Sequence, residues 1–351
     1  MHTAYKTPPP LRVLHVIETL ARGGAERNLV NVLRALPASQ HAVCFLRPPD
    51  DYAAQLRAHG VPVRCLGLRH PRDVPRVVAE LQTEIRRGDF QVVMTQIWLS
   101  DLLGRIAGAL AGVPVLSAVQ TSAYEPETLA TYSQAGRLKT RLIQAADSLT
   151  ARLFVRRMIA VSHFVGRQTV LRLRLPAERV VVIPNSVELD LFHPVDAATR
   201  ERERARLELR PDERVLVTVG KLNRGKGNDL LCAALPLVLQ RHPKVRLLIL
   251  GRGPDGPRLM QQARAAGGQG PSRGQGAASS GPASRRGHGG GEAVRSCSLI
   301  PEQGGRTVSA CAGTGGTMNL LPRSFPRHPA AVALALALAM ACAQRPSVSP
   351  A

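Results

Sequence analysis

At 351 residues the chain is long enough for two domains, each with a core of its own. A formal net charge of +22 and a pI near 11.3 call for anionic partners, whether phosphorylated ligands, membrane or nucleic acid. Aromatic residues at 3% argue against stacking platforms for single strands, and no nucleic-acid recognition motif is present, so that partner is not expected.

Residues 1–10 form a polar, proline-bearing lead-in. The first apolar run contains Arg12 and His15 and ends at Glu18, which is not the pattern of a signal peptide. Leu11–Ile17 is expected to be a buried strand, followed by a helix with Leu29, Leu33 and Leu36 on one face. Gly23-Gly24-Ala25-Glu26 opens that helix. Bare amides there can hold an anion, or the glycines can simply make a tight strand-to-helix turn. No G-x-G-x-x-G follows the strand, which argues against a dinucleotide enzyme.

An alternation then continues. Strands are expected at His41–Leu46, Val61–Cys65, Gln91–Thr95 and Val113–Val119, and helices at Asp51–His59, Pro75–Arg87 and Asp101–Ala111. Gly60-Val61-Pro62-Val63 and Gly112-Val113-Pro114-Val115 repeat one device, in which glycine ends a helix and proline opens the next strand. Such alternation predicts an α/β, doubly wound parallel sheet with its ligands beyond the carboxyl ends of the strands. The loops at Thr19–Gly24, Gln96–Ser100 and Gln120–Glu125 should share that rim.

The basic, amphipathic stretch Arg137–Met158 reads either as a helix packed on its own domain with a solvated basic face, or as a surface for anionic membrane. Strands follow at Met158–Ser162, with Ser162 as an N-cap, and at Val180–Ile183. These complete a Rossmann-like N-terminal domain over residues 11–195. Thr199–Leu209 is a charge-rich helix in the first part of a second domain, residues 196–264.

That second domain opens on Val215–Val219, a strand without polar alternation, as suits a sheet covered on both faces. The turn after it carries Gly220, Lys221, Gly225, Lys226 and Gly227, then a helix, the strand Val245–Leu250 and Gly251-Arg252-Gly253. Glycines admit a close backbone approach, the helix start offers free N–H groups and two lysines add positive charge, a combination suited to a diphosphate. A βα turn with solvated lysines is the plainer alternative.

After Arg264 the periodicity stops, and Ala265–Gly291 is mostly Gly, Ala, Ser, Arg and Gln. Residues 265–351 read as a low-complexity tail, disordered or out of frame. The apolar run Ala330–Ala343 is shorter than the roughly 20 residues a spanning helix needs. Six scattered cysteines with no C-x-x-C indicate neither zinc nor a disulfide framework, so a cytoplasmic location is expected and no metal.

Gly220-Lys221-Leu222, Lys226-Gly227 and Leu248-Ile249-Leu250-Gly251-Arg252-Gly253-Pro254 resemble the donor-binding half of the family 4 glycosyltransferases, which are retaining enzymes of GT-B fold. Gly23-Gly24-Ala25-Glu26 is similar to an element of the same family, and Pro184-Asn185-Ser186-Val187-Glu188 to its turn into the second domain. The resemblance spans about residues 11–259. It implies transfer of a sugar from a nucleotide-diphosphate donor to a glycan or lipid-linked acceptor, without a cofactor. A lipid-linked acceptor would add interest to the membrane alternative for Arg137–Met158, a peripheral contact with the inner face of the membrane, beside the plainer solvated helix.

By resemblance, Gly23, Gly24, Gly220, Lys221, Lys226, Gly251 and Gly253 would hold the donor phosphates, with Lys221 and Lys226 neutralising the leaving group. Gln96, Gln120, Ser162 and Asn185 would lie on the acceptor side. Three departures stand out. Lys221 occupies the family's usual arginine position, and Gln96 and Gln120 stand where members often carry histidine. The acidic Glu-x7-Glu element is missing. A non-catalytic remnant that binds nucleotide or acceptor is therefore the rival reading.

Overall fold

In the computed structural model, residues 11–122, 124–125, 134–189, 192–265 and 297–300 are described. Their contacts divide them into two units, one ending at Phe192 and one beginning at His193, close to the expected boundary after residue 195.

The first unit is a seven-stranded, wholly parallel sheet. Its strands are β1 (Val13–Ile17), β2 (His41–Phe45), β3 (Val63–Cys65), β4 (Val92–Gln96), β5 (Val115–Val119), β6 (Val155–Ala160) and β7 (Val180–Val182), in the spatial order β3-β2-β1-β4-β5-β6-β7. Reversal of strand order beside β1 is the switch point of a doubly wound sheet. The helices are α1 (Gly24–Arg34), α2 (Ala53–Ala58), α3 (Val74–Arg87), α4 (Trp98–Ala111), α5 (Gln134–Phe154) and α6 (His163–Leu173). Leu29, Val30 and Leu33 of α1 pack with Leu56 of α2 beneath one side of β1 and β2. Val77, Leu81 and Ile85 of α3 pack with Leu103 and Ile106 of α4 in a second core on Leu14, Val16 and Val93.

Local chemistry explains the punctuation. Gly60 and Gly112 both take positive φ, 82° and 76°, where a side chain would be strained, and the proline two residues after each opens a strand. Helix α4 starts at Trp98, three residues before the expected Asp101, because the sharp turn falls directly on Ile97. The basic stretch Arg137–Met158 is not one helical face: α5 ends at Phe154, and Arg156 and Arg157 lie on β6.

Inside the sheet, His15 Nε2 and His41 Nδ1 lie 3.1 Å apart, and both side chains are buried. Burial, and then the neighbouring His41, pull His15 down to about 3, while burial lowers His41. Both therefore charge less readily when folded than when unfolded. Their contribution is complete above about pH 6.5 and is lost as pH falls from there towards the folded values, at about 1.4 kcal/mol per pH unit for His15. The urea midpoint is expected to be lower at pH 5.0 than at pH 7.5, and His15→Leu should flatten that difference. Equal midpoints in the unmodified chain would contradict this.

The second unit contains α7 (Ala197–Arg206), β8 (Arg214–Val219), α8 (Asn228–Arg241), β9 (Val245–Leu250), α9 (Gly256–Ala265) and β10 (Cys297–Ile300). The strands form a parallel sheet in the order β10-β9-β8. Its core is Leu222, Cys232, Leu235, Leu247, Ile249 and Leu259. Among the described residues, strand β8 is a sheet edge and is not covered on both faces, with Val217 57% and Val219 70% exposed. The stretch read as a tail contributes β10, which pairs with β9 from Cys297↔Leu247 to Ile300↔Leu250. Four consecutive residues, Cys-Ser-Leu-Ile, suffice for a short strand beside a strongly apolar neighbour. The remainder of 265–351 lies outside the described residues, except for Ala265 at the end of α9.

Candidate functional site

On the first unit, the strand registers place Ile17, Phe45, Gln96, Ala118 and Ile159 level with one another, so the loops that follow share one rim. A connecting segment then lies along that rim. Asn185 Nδ2 donates to Gln120 Oε1 at 3.0 Å, and the Ser186 amide donates to Asn28 Oδ1 on α1 at 3.2 Å. Arg34 faces Glu188 at 3.5 Å. Gln120 and Asn185, both expected on the acceptor side, are thus brought into direct contact.

Ser162 and Gln96 are placed differently. Ser162 Oγ accepts from the Val165 amide at 3.2 Å, so it serves as the N-cap of α6. Gln96 is buried at the end of β4, and its Oε1 has no hydrogen-bond partner among the described residues. The next residue, Ile97, has φ 72° and ψ 129°, a conformation that a β-branched residue adopts only under strain. The Ser100 hydroxyl holds that turn by donating to Gln96 O and to Ile97 O. Strain of this kind concentrates at functional turns.

At the opening of α1, the Gly23 amide is donated to Ala21 O at 2.9 Å. The Glu26 carboxylate folds back against Gly23 and accepts from Thr19 Oγ1 at 3.1 Å. A carboxylate so close to the start of α1 already complements the positive helix end. Gly24 is exposed, with open space around its Cα.

Beneath the rim is a network that was not read in the sequence. Arg105 on α4 is 1% exposed, and its guanidinium donates to Ser117 Oγ, to Thr150 Oγ1 and, at 2.5 Å, to Asp147 Oδ1. Asp101 lies 3.7 Å from the same guanidinium and accepts from Thr95 Oγ1 at 2.5 Å. The Tyr124 hydroxyl donates to Asp147 Oδ2 at 2.9 Å, tying the loop after β5 to α5. Burial raises Asp101 and Arg105 opposes that rise, while burial and then Asp147 raise Tyr124. The missed signal was the polar pair Thr95 and Ser117 on otherwise apolar central strands.

On the second unit, the two glycine turns are sewn together. The Gly220 amide donates to Leu250 O at 3.0 Å, Leu222 N to Arg252 O at 2.9 Å, and Asp255 N to Leu222 O at 3.1 Å. A Cβ on Gly253 would lie 2.6 Å from Leu222 C, and one on Gly251 3.0 Å from Gly220 C. Gly251 and Gly253 therefore serve first to let one turn meet the other. Leu222 is anchored in the core, leaving Lys221 and Lys226 exposed on the loop above. Gly227, at φ 66°, then begins α8. The result is two lysines and a fresh helix start at the carboxyl end of a parallel strand.

Among the described residues, no group of three or more His, Cys, Asp or Glu could hold a metal ion, and no helix is long and apolar enough to cross a membrane.

Comparison with known proteins covers both units. Residues 22–191 match the model described as Glycosyltransferase Family 4, and residues 199–272 the one described as Glycosyl transferases group 1. The chain is 32% identical over 192 residues to D-inositol 3-phosphate glycosyltransferase of Acidothermus cellulolyticus, covering 53% of this chain and 41% of that protein. It is 36% identical over 107 residues to the phosphatidylinositol N-acetylglucosaminyltransferase gpi3 subunit of Schizosaccharomyces pombe, covering 30% and 21%. The chain thus spans less than half the length of these relatives. Among solved structures, HepE of Anabaena in complex with UDP matches with a TM-score of 0.60 at 20% identity, over 73% of this chain and 66% of that one. Sucrose-phosphate synthase of Thermosynechococcus elongatus matches with a TM-score of 0.54 at 18% identity, over 73% and 68%.

Proposed function

This chain belongs to family 4 of the glycosyltransferases and has their GT-B type of fold, and on that premise we propose that it takes a nucleotide-diphosphate sugar as donor and passes the sugar to a glycan or lipid-linked acceptor. The observation that carries the reading is the sewn pair of glycine turns that presents Lys221 and Lys226 at the carboxyl end of β8. The bond from the anomeric carbon to the diphosphate breaks, and a bond from that carbon to an acceptor hydroxyl forms with retention. Negative charge develops on the leaving diphosphate, where two fixed ammonium groups lower its energy.

Gln120 can orient a hydroxyl but cannot take its proton, so in this reading the proton passes to the departing phosphate oxygen. Gly23 and Gly24 at the start of α1 are assigned to the donor phosphates, and Gln96, Gln120 and Asn185 at the same rim to the acceptor side. The reading needs no metal or other cofactor. HepE in complex with UDP supports the donor class, and the two glycosyltransferases support the transfer of a sugar.

Lys221→Met with Lys226→Met is expected to weaken nucleoside diphosphate binding about tenfold or more per lysine, because charge-assisted contacts are lost, without changing the fold. Incubation with a panel of nucleotide sugars and candidate acceptors tests the chemistry. Release of nucleoside diphosphate that depends on an acceptor supports the transferase. Binding without release supports the remnant reading, which the edge position and exposed valines of β8 among the described residues favour.

A further inference from the structure

At the opposite end of the first unit's sheet, where β6 and β7 begin, lies a cavity of about 640 Å³. Its lining comes from the last turn of α5, the end of α6 and the turn before β7. Arg152, Arg174 and Arg179 line it together with Leu149, Leu153 and Leu175.

We propose that this cavity binds a phosphate-bearing amphiphile, its phosphate against the three guanidiniums and its apolar portion against the leucines.

Three observations carry this. First, no carboxylate pairs with this positive charge among the described residues. Among the described residues none of the three arginines makes an ion pair, and Arg156 and Arg157 add further positive charge beside Arg179. Burial, then Arg157, Arg156 and Arg152, lower Arg179, while Glu178 is the one carboxylate acting in the other direction. Like charges gathered around one cavity raise the energy of the empty state, and a bound dianion relieves it.

Second, the arginines do not share a structural task. Arg179 donates to the carbonyls of Ala151, Arg152 and Val155, and so caps the end of α5. The Arg152 and Arg174 side chains are exposed and donate to none of the described residues, which leaves both forks for a ligand. Arginine's planar fork suits phosphate oxygens.

Third, Arg174 holds a left-handed conformation at φ 52°, where glycine is usual and an ordinary side chain is disfavoured. The strain falls on a residue of the cavity wall. The size of the cavity lies in the range of small-molecule sites, and its mixed wall fits a ligand with an anionic end and an apolar end. The site is separate from the donor turn on the second unit, so the two readings fail independently.

The source of such a ligand is either a membrane lipid or a soluble phosphate ester. The full chain is sedimented with vesicles of phosphatidylcholine containing phosphatidic acid, and in parallel is titrated with the water-soluble dihexanoyl phosphatidic acid. The variant is Arg152→Gln with Arg174→Gln, which spares the capping Arg179. A charge-matched control is Arg72→Gln with Arg87→Gln, two exposed arginines elsewhere on the unit. Circular dichroism confirms that both variants fold.

Binding about tenfold weaker in the cavity variant but unchanged in the control supports the site. If it appears with vesicles, the ligand is a membrane lipid. If it appears only with the short-chain ester, the ligand is soluble. Equal losses in both variants, or no binding in either arm, overturn the proposal.

Discussion

Arg105→Met is expected to destabilise the first unit by about 3–5 kcal/mol, the usual cost of removing one partner from a buried ionic cluster. Arg105 is 1% exposed and stands against two carboxylates, Asp101 and Asp147. Without it, the two carboxylates keep their mutual repulsion with no cation between them, and Ser117 and Thr150 each lose a donor. Asp101, already raised by burial, loses the cation that opposes that rise. Methionine fills the volume, so the effect reads charge rather than a cavity. The Tyr124 bond to Asp147 would also loosen, freeing the loop that carries Gln120. Urea denaturation measures the first effect, and hydrogen exchange across residues 120–125 the second. A midpoint within about 1 kcal/mol of the unmodified chain, inside the range of ordinary surface changes, would contradict the network's role.

Gly253→Ala is expected to destabilise the second unit by roughly 2–4 kcal/mol, in the range of severe overpacking. Its new methyl would meet Leu222 C at 2.6 Å and Leu222 N at 2.8 Å, backbone atoms that cannot rotate away. To make room, the turns must part, breaking the bonds from Leu222 N to Arg252 O and from Asp255 N to Leu222 O. Lys221 would move with them, so nucleotide binding should fall even where the unit stays folded. Gly225→Ala is the control, since its methyl would meet only Asn223 Oδ1 at 3.9 Å. Faster exchange of the Leu222 and Asp255 amides in Gly253→Ala alone is the expected signature. Equal behaviour of the two variants would show that the turns are not held by close approach.

The first unit was largely legible in sequence because its punctuation is local. Gly60 and Gly112 must take positive φ, the prolines two residues on cannot continue a helix, and the strands between are apolar on both faces. What escaped depends on contacts distant in the chain. Arg105 on an apolar helix gave no periodic signal of its own, and its partners Ser117 and Asp147 come from another strand and another helix. The contact of Gln120 with Asn185 spans 65 positions, and that of Ser186 with Asn28 spans 158.

In the second unit, the glycine turns were read as phosphate ligands, and their chemistry remains suited to that. Their geometry shows a prior requirement, the meeting of two backbones. An unbroken apolar strand such as β8 reads the same at a sheet's centre and at its edge, so its pattern alone does not place it. Periodicity also missed β10, since four residues are too few to establish a pattern.

The most direct measurement is calorimetric titration of the full chain with uridine diphosphate, beside uridine monophosphate, at low and at moderate salt. Binding of the diphosphate, weaker for the monophosphate, weakened by salt and lost in Lys221→Met with Lys226→Met, is the expected result. No heat of binding at either salt, or binding indifferent to both lysines, would contradict the assignment of this turn to a nucleotide-diphosphate donor.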